Sequence, residues 1–210
     1  MSFMRGWFWF SLGVTLILFG CSSTPKNKLS LSALHGKKIA LVAIEGEDTA
    51  RKVTEVALIN QLVKKGTFEL LSKGSVESAR SHLDQDPTDW KALAKRAGAE
   101  VALRVSVDEF HADERSGYNK EEVYDSQLAD ENGTDGKTER VYKAKSIDGS
   151  VRFDLKFTDL ASGNTTSGIA EAKDRVEANA RVEAVHLPPK LRFLENLSNT
   201  AFERFFEKFE

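Results

Sequence analysis

The hydrophobic residues of this chain follow several spacings, and each spacing predicts a different kind of element. Residues 37–44, KKIALVAI, are apolar without interruption after two lysines, which is typical of a strand buried on both faces. Residues 50–65 carry apolar side chains at helical spacing and stop before Gly66, a residue type that favours a helix end. The buried side of this helix is predicted to hold Val56, Leu58, Ile59, Leu62 and Val63, and its exposed side Asn60, Gln61 and Lys64.

Four further segments extend this first β-α unit. A second strand is predicted at 67–73, two helices at 75–83 and 89–97, and a third strand at 99–110. The order strand, helix, strand, helix, helix, strand indicates an α/β fold in which helices pack on a sheet.

The pattern changes after residue 110. Residues 111–138 are polar and acidic with few aliphatic side chains, so we expect a long inserted loop. Residues 140–159 and 164–178 alternate apolar and polar positions, which predicts an antiparallel hairpin with its turn at 159–164.

A final helix is predicted at 190–209. Its apolar face is predicted to hold Leu191, Leu194, Ala201, Phe202, Phe205 and Phe209. Three interpretations stay open for this face, which are packing against the sheet, docking to a protein groove, and contact with a membrane surface. The predicted class is thus α/β, a mixed sheet flanked by helices, with a late antiparallel hairpin and a C-terminal helix.

The N-terminal segment differs from the rest of the chain. Arg5 is its one charged residue, and residues 6–20 are almost wholly apolar, which is the composition of a secretory signal peptide at 1–20. This run is somewhat short for a membrane-spanning helix, and polar sequence follows it directly. A permanent N-terminal anchor is the alternative.

The end of that segment resembles the lipobox of bacterial lipoproteins. The residues are Leu18, Phe19, Gly20 and Cys21, although Phe19 is bulkier than the usual residue. The resemblance implies cleavage between Gly20 and Cys21 and attachment of diacylglyceryl and palmitate-type acyl chains to Cys21. Residues 21–36 then form a lipidated tether, and residues 37–210 a single domain. In enterobacterial-type sorting an Asp after the cysteine retains a lipoprotein in the inner membrane, so in such a cell Ser22 indicates the periplasmic face of the outer membrane.

Composition narrows the function classes. The formal net charge of −2 gives no basic excess that would favour a nucleic-acid partner. Cys21 is the single cysteine, so no disulfide within the chain is expected. The oligomeric state stays open.

Candidate chemistry is sparse. His35, His82, His111 and His186 are scattered, with no pair at metal-ligand spacing on a helix. His111, Asp113 and Glu114 offer the ligands of a cation site, but a solvated loop is the favoured interpretation, and residues 130–136 fail the calcium-loop spacing. Asp84, Asp86 and Asp89 fit a helix connection and an N-cap better than an acid–base pair. We therefore predict no enzyme activity, no metal and no cofactor.

Three motifs carry a family resemblance. They are a leucine followed by a Gly-x-Phe-x-Leu-Leu step at 62–71, an Ala-x-x-x-Gly-Ala-x-x-x-Leu step at 94–103, and a strand ending Asp-x-x-Ser-Gly at 159–163. Together they resemble the CsgG-like and LpoB-like periplasmic lipoprotein domains and the N-terminal domain of TolB, over roughly residues 37–178. The resemblance implies a periplasmic protein partner in envelope assembly, such as regulation of a peptidoglycan synthase. The alternative it leaves is an accessory subunit of an outer-membrane secretion or appendage-assembly complex.

Overall fold

The computed structural model describes residues 34–66, 68–82, 89–124, 136–179 and 186–208. The strands in this part of the chain are β1 (Lys38–Glu45), β2 (Glu69–Leu70), β3 (Val101–Tyr124), β4 (Lys137–Asp159) and β5 (Thr165–Asn179). The helices are α1 (Asp48–Lys65), α2 (Lys73–Ser81), α3 (Trp90–Arg96) and α4 (Lys190–Glu207).

The strands form one mixed sheet in the order β2-β1-β3-β4-β5. β1 is parallel to both β2 and β3, while β3, β4 and β5 run antiparallel to one another. The predicted α/β class, with a late antiparallel hairpin and a C-terminal helix, is confirmed.

Helices cover the two faces of the sheet unequally. α1 and α4 pack on the inner face, where the side chains of Leu103, Phe153 and Phe157 are buried with theirs. α2 and α3 pack on the outer face only near Ala40 and Ala102, so most of the outer face of β3, β4 and β5 has no helix over it. The main core therefore lies on the inner face.

Phenylalanine rings of α4 fill that inner face. Phe202 stacks on Phe153 with 4.6 Å between ring centroids. Gly149 in β4 and Gly168 in β5 lie directly under Phe193 and Phe205, and a Cβ on either glycine would lie 2.5–2.6 Å from the ring above it. The helix therefore approaches the strands this closely because both positions lack a side chain. Core packing, the first interpretation of this helix, is confirmed.

The details of that helix differ from the prediction. Phe205 is buried as expected, whereas Leu191 is exposed, and Phe209 lies outside the described residues. The remaining buried positions include Phe193, Leu197 and Phe206, which the predicted face omitted.

The prediction of the buried side of α1 is wrong in part. Val56 and Val63 are 61% and 65% exposed, and Gln61 is buried. The buried stripe instead holds Ala50, Val53, Thr54, Ala57, Leu58, Gln61 and Leu62. These positions repeat at three- and four-residue intervals, and the two valines fall on the opposite side of the cylinder.

Residues 111–124, expected as part of a loop, are strand. β3 continues to Tyr124 and pairs with β4 from Lys137 onwards, and residues 125–135 lie outside the described part. We call residues 117–124 and 137–144 the arm, because the pairing of β4 with β5 ends at Ala144. Main-chain pairing needs no apolar side chains, and Lys120 and Glu139 form an ion pair of 2.8 Å across the arm. Polar composition therefore did not prevent a strand here.

Candidate functional site

The predicted lipidation site is not described by the structure. Gly20 and Cys21, like all of residues 1–33, lie outside the described residues. Lipidation and cleavage at these positions stay predictions.

The strongest candidate for a binding site follows from the shortness of β2. β2 pairs with β1 only at Lys38↔Glu69 and Ile39↔Leu70. The Leu71 amide then donates to the Ile39 carbonyl at 2.9 Å, after which the chain turns away into α2. Among the described residues no strand pairs with this side of β1 after Ile39. The later half of β1 therefore has an unpaired edge.

Ser72 explains why β2 stops there. The Ser72 side chain accepts a hydrogen bond from the Ser75 amide at 3.1 Å and so caps the start of α2. A serine in this position is a helix-start signal. The sequence pattern predicted a strand up to residue 73 and a helix from residue 75, so the capping role of Ser72 was not predicted.

A groove of about 660 Å³ runs along the unpaired edge, between α1 and α2. Its apolar lining includes Leu41, Ile44, Ile59, Leu70, Leu71 and Val76. We call this feature the β1 groove.

The rim of the β1 groove is charged with both signs. Lys73 of α2 forms an ion pair of 2.9 Å with Glu55 of α1, and a hydrogen bond to that carboxylate raises the pKa of Lys73. Arg51 pairs with Asp48 on the same rim. Ion pairs at such exposed positions contribute little to stability, so these side chains are free to exchange partners.

One main-chain acceptor in the groove is occupied from within. The Arg80 guanidinium donates to the Val42 carbonyl at 2.9 Å. A carbonyl at an unpaired strand edge needs a donor, and here the Arg80 side chain supplies it. An incoming strand can replace such a bond without leaving the carbonyl unpaired.

The apolar lining continues onto the surface of α1. Val56, Ile59 and Val63 stand at positions i, i+3 and i+7, and so share one helix face. Ile59 is half-buried in the groove, while the two valines are exposed beside it. Groove and valines thus form a continuous apolar surface that suits a protein partner.

A second polar cluster lies on the open outer face of the sheet. The Ser150 hydroxyl donates to the Glu109 carboxylate, and His111 Nδ1 lies 3.6 Å from the same carboxylate. The bond from Ser150 is the main cause that lowers the pKa of Glu109. In a catalytic triad the acid holds the histidine rather than the hydroxyl, so this arrangement does not activate Ser150 as a nucleophile.

The residues considered for a cation site are not brought together by the fold, and Asp89 caps a helix. Glu114 and His111 point to opposite faces of β3. The cation site considered as an alternative for His111, Asp113 and Glu114 is therefore not formed. Within the described ranges no group of three metal-ligating side chains is found. The Asp89 carboxylate caps α3 as predicted, accepting from the amides of Lys91 and Ala92 at 3.1 and 3.0 Å.

Several of the predicted candidate residues are not described by the structure. Asp84, Asp86 and residues 130–135 lie outside the described residues. None of the described helices has the length and apolar character needed to cross a membrane.

Comparisons with known proteins give only distant likenesses. No family model matches the sequence, and no curated protein matches it. Among solved structures, the LpoB C-terminal domain from Escherichia coli is 13% identical with a TM-score of 0.40, over 67% of this chain and 85% of that one. The lipoprotein GNA1162 from Neisseria meningitidis is 9% identical with a TM-score of 0.42, over 82% of this chain and 99% of that one. Such scores and identities are too low to establish a shared function, and the resemblance to CsgG-like and TolB proteins stays a prediction.

Proposed function

We propose that this protein is a lipid-anchored lipoprotein of the cell envelope that acts as a non-enzymatic adaptor, binding a protein partner in the β1 groove. The observation that carries the proposal is the unpaired edge of β1, which lies beside an apolar surface on α1.

The chemistry of the groove defines the segment it would take. An extended chain added beside β1 gains main-chain hydrogen bonds, and its alternate side chains enter pockets next to the edge. Here the pockets are apolar, with Leu41 and Ile59 among their walls, and the rim carries both charges. We therefore expect an extended partner segment with apolar residues at every second position and charges of both signs around them.

The sequence motif at Gly20 and Cys21 supports the anchor. Several acyl chains on one residue hold a domain stably at a membrane, because each buried methylene contributes roughly 0.8 kcal/mol. The presence of Ser22 supports placement on the periplasmic face of the outer membrane. An envelope-assembly enzyme such as a peptidoglycan synthase is the class of partner that the family resemblance suggests.

Site-specific photo-cross-linking in the native cell tests the groove. A photoreactive residue replaces Val56 in the full-length chain, and a matched chain carries it at Val141, which is exposed on the arm. We expect one defined adduct from position 56 and not from 141. Adding Val63→Glu should abolish the adduct while leaving thermal unfolding unchanged, because Val63 is exposed. An adduct that survives Val63→Glu, or that forms equally from position 141, contradicts the proposal.

Mass spectrometry of the native N-terminus tests the anchor separately. The wild-type chain should begin at Cys21 with added acyl mass, and Cys21→Ala should leave a precursor that keeps its signal segment. A mature chain that begins elsewhere without acyl mass would rule out the lipid anchor.

The arm favours a second function, that of an accessory subunit in an outer-membrane secretion or appendage-assembly complex. Tyr118, Tyr124 and Val141 are exposed along it, on a two-stranded extension that no described helix covers. Replacing residues 118–143 by an Asn-Gly turn between Gly117 and Ala144 separates the two functions. The adduct at Val56 should persist in this chain under the adaptor proposal, and its loss would favour the alternative.

A further inference from the structure

The sequence upstream of the described domain joins it beside the β1 groove. The Leu34 carbonyl accepts a hydrogen bond from the Lys37 amide at 3.0 Å, and the Leu34 side chain is buried, so the chain is fixed at the start of β1. The His35 ring packs edge-on against Phe68, the residue before β2, with 6.4 Å between ring centroids. The residues that precede Leu34 therefore start from the same edge of the sheet as the β1 groove.

Residues 26–33, KNKLSLSA, which lie outside the described residues, have the pattern that the groove requires. Leu29, Leu31 and Ala33 occupy every second position, and a serine follows each of the two leucines. In an extended chain alternate residues share one face, so both leucines can enter the apolar lining while the serines face away from it. We call residues 26–33 the tether segment.

We propose that the tether segment of the same chain occupies the β1 groove as an added strand, and that a protein partner has to displace it. This inference rests on the proposed function of the groove and adds its regulation. The tether segment leads into β1 through the turn at residues 34–36, so it lies antiparallel to β1. An extended segment added to a sheet edge in this way gains main-chain hydrogen bonds.

The length of the tether segment matches the position of the groove. Leu34 is level with Lys37, and the five residues from Leu34 back to Leu29 span about 17 Å when extended. Five residues along β1 lead from Lys37 to Val42, whose carbonyl lies at the unpaired edge. Leu29 therefore reaches the middle of the groove, and Leu31 lies closer to β2.

The tether segment satisfies only part of the charged rim. Lys26 and Lys28 can pair with carboxylates of the rim, which include Glu55 and Glu77. The segment has no acidic residue that could pair with Lys73. A partner segment with charges of both signs makes both kinds of pair, so it can displace the tether segment. Because a segment of the same chain has an effective concentration in the mM range, even this partial fit keeps the groove largely occupied.

Displacement would also change how far the domain reaches from the membrane. With a lipid at Cys21, the docked state leaves the residues up to Lys26 as a free link, which spans about 17 Å at full extension. After release the free link continues to Leu34 and spans about 44 Å. Binding of a partner would thus lengthen the connection between the domain and the membrane.

Disulfide formation within one chain tests the docked state without any partner. Ile59 lines the groove and lies about 16 Å along α1 from Asp48, which is level with the place expected for Leu31. In the full-length chain, Leu31→Cys combined with Ile59→Cys should form an intramolecular disulfide on mild oxidation. Ser32→Cys combined with Ile59→Cys is the matched control and should react at least threefold more slowly, because Ser32 faces away. Equal rates for the two pairs, or disulfides that link two chains only, would overturn the proposal.

Binding of a labelled peptide tests the same groove with no change in the domain. The probe is a fluorescent peptide of sequence KNKLSLSA. It should bind the full-length chain that carries Leu29→Asn and Leu31→Asn, and it should bind the wild type at least threefold more weakly, which corresponds to a groove that is two thirds or more occupied. The chain with Ser30→Asn and Ser32→Asn is the control and should bind as the wild type does. Equal binding by the wild type and the leucine variant, or no binding by either, would overturn the proposal.

The photo-cross-linked adduct at Val56 separates this inference from the proposed function. Leu29→Asn with Leu31→Asn should raise the yield of that adduct about threefold or more, because these changes empty the groove. An adduct of unchanged yield would refute the tether segment as the occupant and leave the partner site standing. A disulfide from Leu31→Cys in a chain that gives no adduct would refute the partner site and leave the tether segment in the groove.

Discussion

The two ends of β3 show how differently one strand is stabilised along its length. Near Val101, helices cover the strand on both faces, and the side chains of Ala102 and Leu103 are both buried although they point in opposite directions. In the arm the same strand continues to Tyr124 with almost every side chain exposed. The covered end therefore depends on side-chain packing, and the arm depends on its ladder to β4.

Substitutions should consequently change the free energy of unfolding strongly in the covered region and only slightly in the arm. Removing side-chain atoms from the covered region creates cavities. The same removal in the arm creates none, because its side chains are already exposed to solvent. Four changes test this contrast, in order of decreasing effect on stability.

Phe205→Ala should destabilise the protein most. Phe205 is 4% exposed and lies over Gly168, so its removal leaves a cavity under α4 and should cost about 3–5 kcal/mol. Tyr118→Ala, an aromatic deletion in the arm, is the control and should cost less than about 0.5 kcal/mol. Urea unfolding measures both. Equal midpoints for the two variants would refute the contrast.

Two strand glycines provide a second matched pair. A Cβ at Gly149 would meet the Phe193 ring at 2.6 Å, so Gly149→Ala should cost about 1–3 kcal/mol through overpacking. A Cβ at Gly117 in the arm meets no atom within 4 Å, so Gly117→Ala should be neutral or slightly stabilising. Thermal unfolding of both variants decides the point, and a neutral Gly149→Ala would show that α4 yields readily.

Asp159, at the end of β4, should make stability depend on acid. The hydrogen bond from Lys37 and the amides of Ser162 and Ala161 lower the pKa of Asp159 from 3.8 to about 2. A carboxyl group whose pKa falls on folding stabilises the protein above its unfolded pKa, so about 1–2 kcal/mol should be lost as the pH drops from about 4 to 2. Asp159→Asn should lack this part of the pH dependence. Identical acid profiles for the wild type and Asp159→Asn would contradict the assignment.

Shortening the arm should have the smallest effect. Joining Gly117 to Ala144 through an Asn-Gly turn removes 118–143 without touching the buried core, and closing a shorter loop costs no additional entropy. We expect a change in the free energy of unfolding within about 0.5 kcal/mol. A loss of cooperative unfolding would mean that the arm stabilises the domain.

The same contrast explains what could be predicted from the sequence. The strand at 37–44 and the Phe-rich helix were predicted because burial imposes an apolar pattern on them. In α1 the prediction of burial was correct for Leu58 and Leu62 and wrong for Val56 and Val63. Apolar side chains also occur on exposed helix faces, so a valine alone does not show which face is buried. The arm was missed because strand pairing there makes no demand on side-chain polarity.

The candidate site was beyond sequence reasoning for another reason. The β1 groove exists because β2 leaves β1 after Leu71, and the position of that departure depends on how α2 packs. Ser72 is the single local signal of it. The predicted lipidation motif at Cys21 depends only on neighbouring residues in the sequence, which is why it can be predicted without the structure, and it stays a prediction because Cys21 lies outside the described residues.

The position of α4 after β5 in the sequence has a consequence for how the protein is made. The inner face of β4 and β5 is covered by this helix, whose eighteen residues emerge after both strands during synthesis. Until they do, a nascent chain with its strands already paired presents Phe153, Leu155 and Phe157 to solvent. Such exposed surface makes incomplete chains prone to aggregation. Completion of the native core must therefore wait for α4, and we expect a chaperone that shields the strands until then to raise the yield of folded protein.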